Sequence, residues 1–173
     1  MIHADMENGR SDVCEDCGAV VLEGKAGCQK LFEAVVAREL GDYRYGKTHR
    51  LTVDAYSLQH PEPYMRSGKS FAAHLTGVCA ALEYTDPSKI NRRVQQWLSG
   101  NPVIDKPDSL PEHRGDLTIA YVLAATDAEE HDQRVWEWAR TVWEAWSGYH
   151  TLARQLIGQA LESNLQPNSP RNS

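Results

Sequence analysis

The stretch HRLTVDAYSLQHP, from His49 to Pro61, constrains the chain most. It reads as a helix. Thr48 stands where an N-cap belongs, and Pro61 ends the helix because the residue before a proline is driven out of the α region. Asp54 falls on the same stripe as Leu51 and Leu58. A carboxylate aimed inward there is expensive unless it is paired or hydrogen-bonded. A histidine closes each end. His49 and His60 lie on nearly the same face but about 16 Å apart along the axis. They cannot both ligate one ion; one can complete a site while the other serves a different role.

The rest of the chain repeats the helical period. Leu31, Phe32, Val35, Val36 and Leu40 mark a helix that opens at Cys28 and stops at Gly41. Ser67 caps a helix from about Gly68 to Glu83, with Phe71, Leu75, Val78 and Leu82 on one stripe. Asp86 and Pro87 start another, which carries Ile90, Val94, Trp97 and Leu98 and stops at Ser99-Gly100. Thr118 caps a short helix over IAYVLAA, with a strand as the open alternative. Thr126 and Glu129 fit a capping box for a helix running to about Trp146. Its buried face holds Val135, Ala139, Val142 and Trp146, widened by Trp136 and Trp143; Trp138 points partly elsewhere and reads as an interface marker. After a break at Ser147-Gly148, a last helix carries His150, Leu152, Ala153, Leu156 and Ile157.

HPEPYMRSG and residues 101–116 read as loops, the second being the longest and either a surface excursion or a lid. Residues 1–12 and 164–173 read as disordered, which leaves 13–163 as one domain. The expected architecture is mostly α: a helical bundle of about five or six helices, with a small N-terminal knuckle over 13–28.

The chemistry concentrates in CEDCGAVVLEGKAGC, Cys14 to Cys28. A CxxCG turn aims two sulfurs at one point, with Gly18 free to take positive φ and Ala19 to Leu22 as a short strand. Zinc takes such ligands and is the expected ion, with another divalent metal as the alternative. A thioredoxin-like redox pair and two loop cysteines without a role are the other readings; the redox one fits less well, because Gly18 follows the pair at once. Cys28, in a first helical turn, is the third ligand or a small apolar residue beside Leu31 and Phe32. The fourth comes from afar: His60, at a helix end where backbone and side chain can adjust, is preferred, with His49 as the alternative. Cys79, in mid-helix, reads as a core thiol.

A second cluster is conceivable from Asp54, His74 and His150, three polar residues on apolar faces that could together hold a metal or act as acid and base. The competing reading makes each a satisfied core residue. His3, His113 and His131 read as surface.

Net charge is −6 and no basic stripe stands out; Lys89, Arg92 and Arg93 are the densest group. That argues against nucleic-acid binding, which needs a basic footprint. No apolar run approaches a membrane span, and the N-terminus lacks the apolar core of a signal peptide. A cytoplasmic protein with four reduced cysteines is expected.

Taken together, CEDCG, GCQKLF, HRLTVDAYSLQHP, AAHL and WARTVWEAWSGYH resemble an uncharacterised bacterial family, domain-of-unknown-function family 5946. The resembling segments spread from Cys14 to about His150. The resemblance implies a small bacterial protein whose cysteines and histidines can bind metal; it brings no established activity and no catalytic residue. A looser likeness is to DinB-type helical bundles, which hold a metal with three histidines from different helices. Paired histidines one turn apart are missing near His150, so that likeness stays architectural.

The expected function is a binding or interaction role with structural zinc. The alternative is a metal-dependent hydrolase or group-transfer enzyme built on Asp54, His74 and His150. The partner, protein or small molecule, is unreadable, and a homo-oligomer stays open.

Overall fold

The computed structural model describes residues 12–163. The expectations of disorder for the N-terminal residues up to 11 and for 164–173 lie outside the described residues, as does His3. Eight α-helices occur among the described residues: α1 (Lys25–Gly41), α2 (His49–Gln59), α3 (Pro61–Tyr64), α4 (Gly68–Glu83), α5 (Pro87–Ser99), α6 (Ile119–Leu123), α7 (Ala128–Ala145) and α8 (His150–Ser163). Short 3-10 turns, Gly46–Thr48 and Ser147–Tyr149, lead into α2 and α8. The count exceeds the expected five or six. One added helix is the single turn α3, inside the segment read as a loop, where Pro61 supplies the fixed φ of a first helical position.

The expected strand at Ala19 to Leu22 is reduced to one antiparallel bridge, Val13 to Val20. A single bridge is far shorter than an ordinary strand pair. Two cap assignments also move. Thr48 makes no side-chain cap to α2; its hydroxyl donates to Asp132 instead (3.2 Å). The cap of α7 is Asp127, which accepts from the Glu130 N–H (2.8 Å), while the Glu130 carboxylate reaches back to the Thr126 N–H (2.7 Å). The N-cap is therefore one residue later than Thr126, and no reciprocal box with the Asp127 N–H forms.

α2 is the axis of the molecule. Eight of its eleven residues are buried, so it has no solvent face of its own. It packs on α4, α7 and α1; α5 and α8 then close around α4, and α6 bridges α1 and α7. The outer helices show the ordinary one-sided pattern, as in the Ile90, Val94 and Leu98 stripe of α5, which Asp86 caps by accepting from the Lys89 N–H (2.9 Å).

Two close approaches set the packing. Gly77 of α4 faces Asp54: a Cβ there would stand 1.9 Å from Asp54 Oδ2. Gly115, with φ of 109°, lets the long loop lie on the α7 backbone, where a Cβ would come within 3.0 Å of the Thr141 carbonyl carbon. The loop is thereby a strap against the bundle.

Candidate metal centre

Four side chains meet where the N-terminal knuckle touches the end of α2. The knuckle folds back on itself because the Cys14 N–H donates to the Ala19 carbonyl (2.8 Å) and the Gly18 N–H to the Cys14 carbonyl (2.8 Å). Gly18 takes φ of 76°, as the CxxCG turn requires. The segment then lies flat on the first turn of α1, where a Cβ on Gly27 would stand 1.9 Å from the Leu22 carbonyl oxygen. Helix α1 begins at Lys25, ahead of the expected start, so Cys28 sits one turn in and its N–H is already used by the Gly24 carbonyl (2.9 Å). No unpaired helix-start amide is left at residue 28. His60 follows α2 directly, at φ −124° and ψ 64°, and Pro61 holds the break.

The ligand atoms of Cys14, Cys17, Cys28 and His60 all lie within 4.8 Å of one another. His60 Nε2 is 3.5 Å from Cys14 Sγ and 3.4 Å from Cys28 Sγ; Cys17 Sγ is 3.7 Å from Cys28 Sγ. A tetrahedral zinc ion with bonds of about 2.3 Å to sulfur and about 2.0–2.1 Å to nitrogen sets its donors roughly 3.6–3.8 Å apart. These three separations are close to the edges of that tetrahedron. Cys14, Cys28 and His60 are buried and Cys17 is half-buried.

The imidazole is set for coordination. His60 Nδ1 lies 2.9 Å from the Tyr56 carbonyl oxygen, which can only accept, so Nδ1 carries the proton and Nε2 presents its lone pair to the sulfurs. The Tyr56 ring stacks on the His60 ring (centroids 3.9 Å, 19°) and on Phe32 (3.9 Å, 7°). Hydrogen bonds from Cys17 and then Cys28 draw the Cys14 thiol well below its ordinary range. Its contact with Cys14 pushes Cys17 up, and the same cause pushes Cys28 up to about 11. Three sulfurs thus stand together at one point, where a coordinated cation would favour the thiolate form of each.

Second contacts tie this corner down. Arg114, from the strap, donates to the Asp16 carbonyl (3.2 Å) and the Gln59 carbonyl (3.4 Å). Lys25 pairs with Asp16 (3.0 Å) and Glu62 (2.7 Å), and the Glu62 contact is the main cause that raises the ammonium to about 12. Buried Gln59 donates to the Arg114 and Leu117 carbonyls (3.0 and 2.8 Å) and accepts from Trp138 Nε1 (3.0 Å).

The other proposed site residues separate. His49, the alternative fourth ligand, is at the far end of α2, where Nδ1 donates to Glu39 Oε2 (2.8 Å). Asp54 and His74 do meet (2.9 Å), with Arg50 Nε on the second carboxylate oxygen (2.6 Å). His150 does not join them: it stacks on Trp143 (3.9 Å) and its Nε2 donates to the Trp143 carbonyl (2.8 Å). Helix order in space separates residues that share an apolar face only in projection. Cys79 is buried in the core, and desolvation pushes its thiol up to about 12.

Two surface assignments are corrected. His131 is fully buried; Arg38 Nη2 donates to its Nδ1 (2.8 Å), so its proton is on Nε2, which donates to Glu39 Oε1 (2.9 Å). Trp138 is fully buried on Gln59 and marks no interface. Both follow the stripe His131, Val135, Trp138, Val142, a helical spacing that identifies them. His113 is exposed, near Asp116 (3.0 Å).

Fold and site together define a mostly helical protein with a Cys3His cluster able to hold a metal ion. The model of a family of unknown function (DUF5946) matches residues 12–147, and the chain belongs to that family. No curated protein and no solved structure matches it. The DinB-type likeness gains nothing: three thiols and one imidazole are not a three-histidine set. Among the described residues, no helix is long and apolar enough to cross a membrane.

Proposed function

We propose that the protein binds one zinc ion through Cys14, Cys17, Cys28 and His60, and that the ion is structural. The observation that carries this is the convergence of four donors, at separations close to tetrahedral edges, with the proton of His60 held on the nitrogen that faces away. Four protein ligands complete a tetrahedron, the arrangement of structural zinc, whereas catalytic zinc keeps a position for water. The ion would fasten residues 12–28 to the end of α2. A cytoplasmic location, where thiols stay reduced, suits this ligand set.

The role is then one of binding, not of chemistry at the metal. The knuckle that the ion fixes carries Val20 and Leu22, 82% and 77% exposed, in a chain whose other large apolar side chains are mostly inside. The hydrolase or transferase alternative rests on Asp54 and His74 alone, since His150 is engaged elsewhere.

Purified protein should contain one zinc per chain by elemental analysis. Chelation should raise amide exchange over residues 12–28 and around His60, while α4, α5 and α8 stay protected. Protein that carries no metal, or that keeps its knuckle protection and melting temperature after chelation, would sink the reading.

A further inference from the structure

The three thiols obtain their hydrogen-bond donors in different ways. The Cys17 backbone N–H favours the Cys14 thiolate and the Ala19 backbone N–H favours the Cys17 thiolate, the usual supply for cysteines on a turn. Cys28 has no such source. It lies inside α1, where each N–H is consumed by the carbonyl four residues back. The donor that stands at its sulfur is the phenol of Tyr56, 3.8 Å away, from the neighbouring helix.

Tyr56 also touches the fourth ligand. Its carbonyl fixes the proton of His60, and its ring lies flat between His60 and Phe32. Tyr56 is fully buried, so water does not compete for the hydroxyl; Gln29 Oε1, 3.5 Å away, is its other neighbour.

We infer that Tyr56 is the positioning residue of the metal centre: its hydroxyl replaces the backbone donor that helical Cys28 lacks, and its ring and carbonyl set the plane and tautomer of His60. This rests on the proposed zinc reading. A hydrogen-bonded thiolate gives less electron density to its metal and is a poorer nucleophile. Tyr56 thereby keeps the helix-borne corner of the site inert.

The test uses full-length protein loaded with cobalt, whose sulfur-to-metal charge-transfer band reports on thiolate donation. Tyr56→Phe keeps ring and backbone and removes only the hydroxyl. Its band should move to longer wavelength, and metal affinity in chelator competition should fall roughly 10–100-fold, the range for lost outer-shell partners. Phe32→Leu loosens the stack, keeps the hydroxyl, and should leave the band where it is. A Tyr56→Phe band superimposable on wild type, or a Phe32→Leu band that shifts equally, overturns the inference. Should Tyr56→Phe fail to fold, wild-type protein loaded with an NMR-active cadmium isotope decides: the Tyr56 hydroxyl proton should couple to the metal through Cys28, and its absence overturns the assignment. Wild-type protein that takes up neither cobalt nor zinc refutes the zinc reading itself, a separate outcome.

Discussion

The two ends of α2 each bury a polar cluster, and they differ in how the charges are answered. At the His49 end every strong acceptor has a protein donor. Glu39 Oε1 receives Thr52 Oγ1 (2.5 Å) and His131 Nε2 (2.9 Å), and Glu39 Oε2 receives His49 Nδ1 (2.8 Å). Arg38 then supplies the positive charge through His131, and its two terminal nitrogens also donate to the Val122, Leu123 and Ala125 carbonyls at the end of α6 (3.0, 3.2 and 3.2 Å), while its Nε is buried without a hydrogen-bond partner. At the His60 end, three sulfurs and an imidazole lone pair converge with no cationic side chain among them. In one cluster protein donors answer both carboxylate oxygens; the other has a surplus of lone pairs. Buried polar groups must be satisfied. The comparison therefore separates a structural network from a site able to hold a cation, without appeal to activity.

Removing a ligand at the open end should have the largest effect. Cys28→Ser removes the helix-borne corner of the proposed zinc site. In small zinc modules the metal contributes about 10–16 kcal/mol of folding free energy. Here that loss falls on residues 12–28 and the His60 turn, while the bundle keeps its own core. Elemental analysis should show the zinc gone, and exchange should show the knuckle open. A Cys28→Ser protein that retains stoichiometric zinc would break the contrast between the two ends.

At the closed end, Glu39→Ala should cost about 3–5 kcal/mol, the penalty for breaking a buried charge network from one side. His131, His49 and Thr52 would lose their acceptor, and Arg38 the carboxylate that its chain of bonds leads to. Chemical denaturation measures the loss. Zinc content should stay at one per chain, because the two ends are more than a helix turn apart. Loss of zinc in Glu39→Ala would show that the ends are coupled.

Asp54, between them, is matched like Glu39, but through a tighter fit. Its oxygens take His74 and Arg50, and one lies where a Cβ on Gly77 would be. Gly77→Ala should displace the carboxylate and cost about 1–3 kcal/mol by overpacking. A variant of unchanged melting temperature would mean that α2 and α4 can separate without losing these bonds.

How much of this was legible in the sequence depends on the range of the interaction. Local signals held: Ser67 and Asp86 cap the helices that they were expected to cap, and α4 and α5 have their expected bounds. The CxxCG turn, Cys28 and His60 come together because the knuckle is local and the break before Pro61 is written in the chain. The closed network was missed. Glu39 continues the Phe32 and Val35 face of α1, and His131 leads the Val135 and Trp138 stripe, yet each is masked by polar neighbours at a helix end. Their pairing crosses 92 residues, a distance that no local pattern spans. The grouping of Asp54 with His150 failed for the converse reason, since apolar periodicity says which face is inward and not which helices face each other.

The smallest effect should separate the clusters by acid. Glu130, in the first turn of α7 just before His131, is held at about 2 rather than the usual 4.5, chiefly by the Thr126 backbone N–H, then by the Thr126 hydroxyl and Arg134. A depressed carboxylate contributes stability that is present above its unfolded value and lost as pH falls through its folded value. The α7 cap should therefore hold fully above about 4.5 and weaken toward about 2, loosening the helix end that carries His131. Glu130→Gln should flatten the stability–pH profile inside that window, because its amide cannot titrate. Zinc release monitored in parallel should follow the same curve in both proteins, since protons reach the thiolates independently of this cap. If Glu130→Gln moved the pH of zinc release as well, the closed and open ends of α2 would be one cooperative unit rather than two.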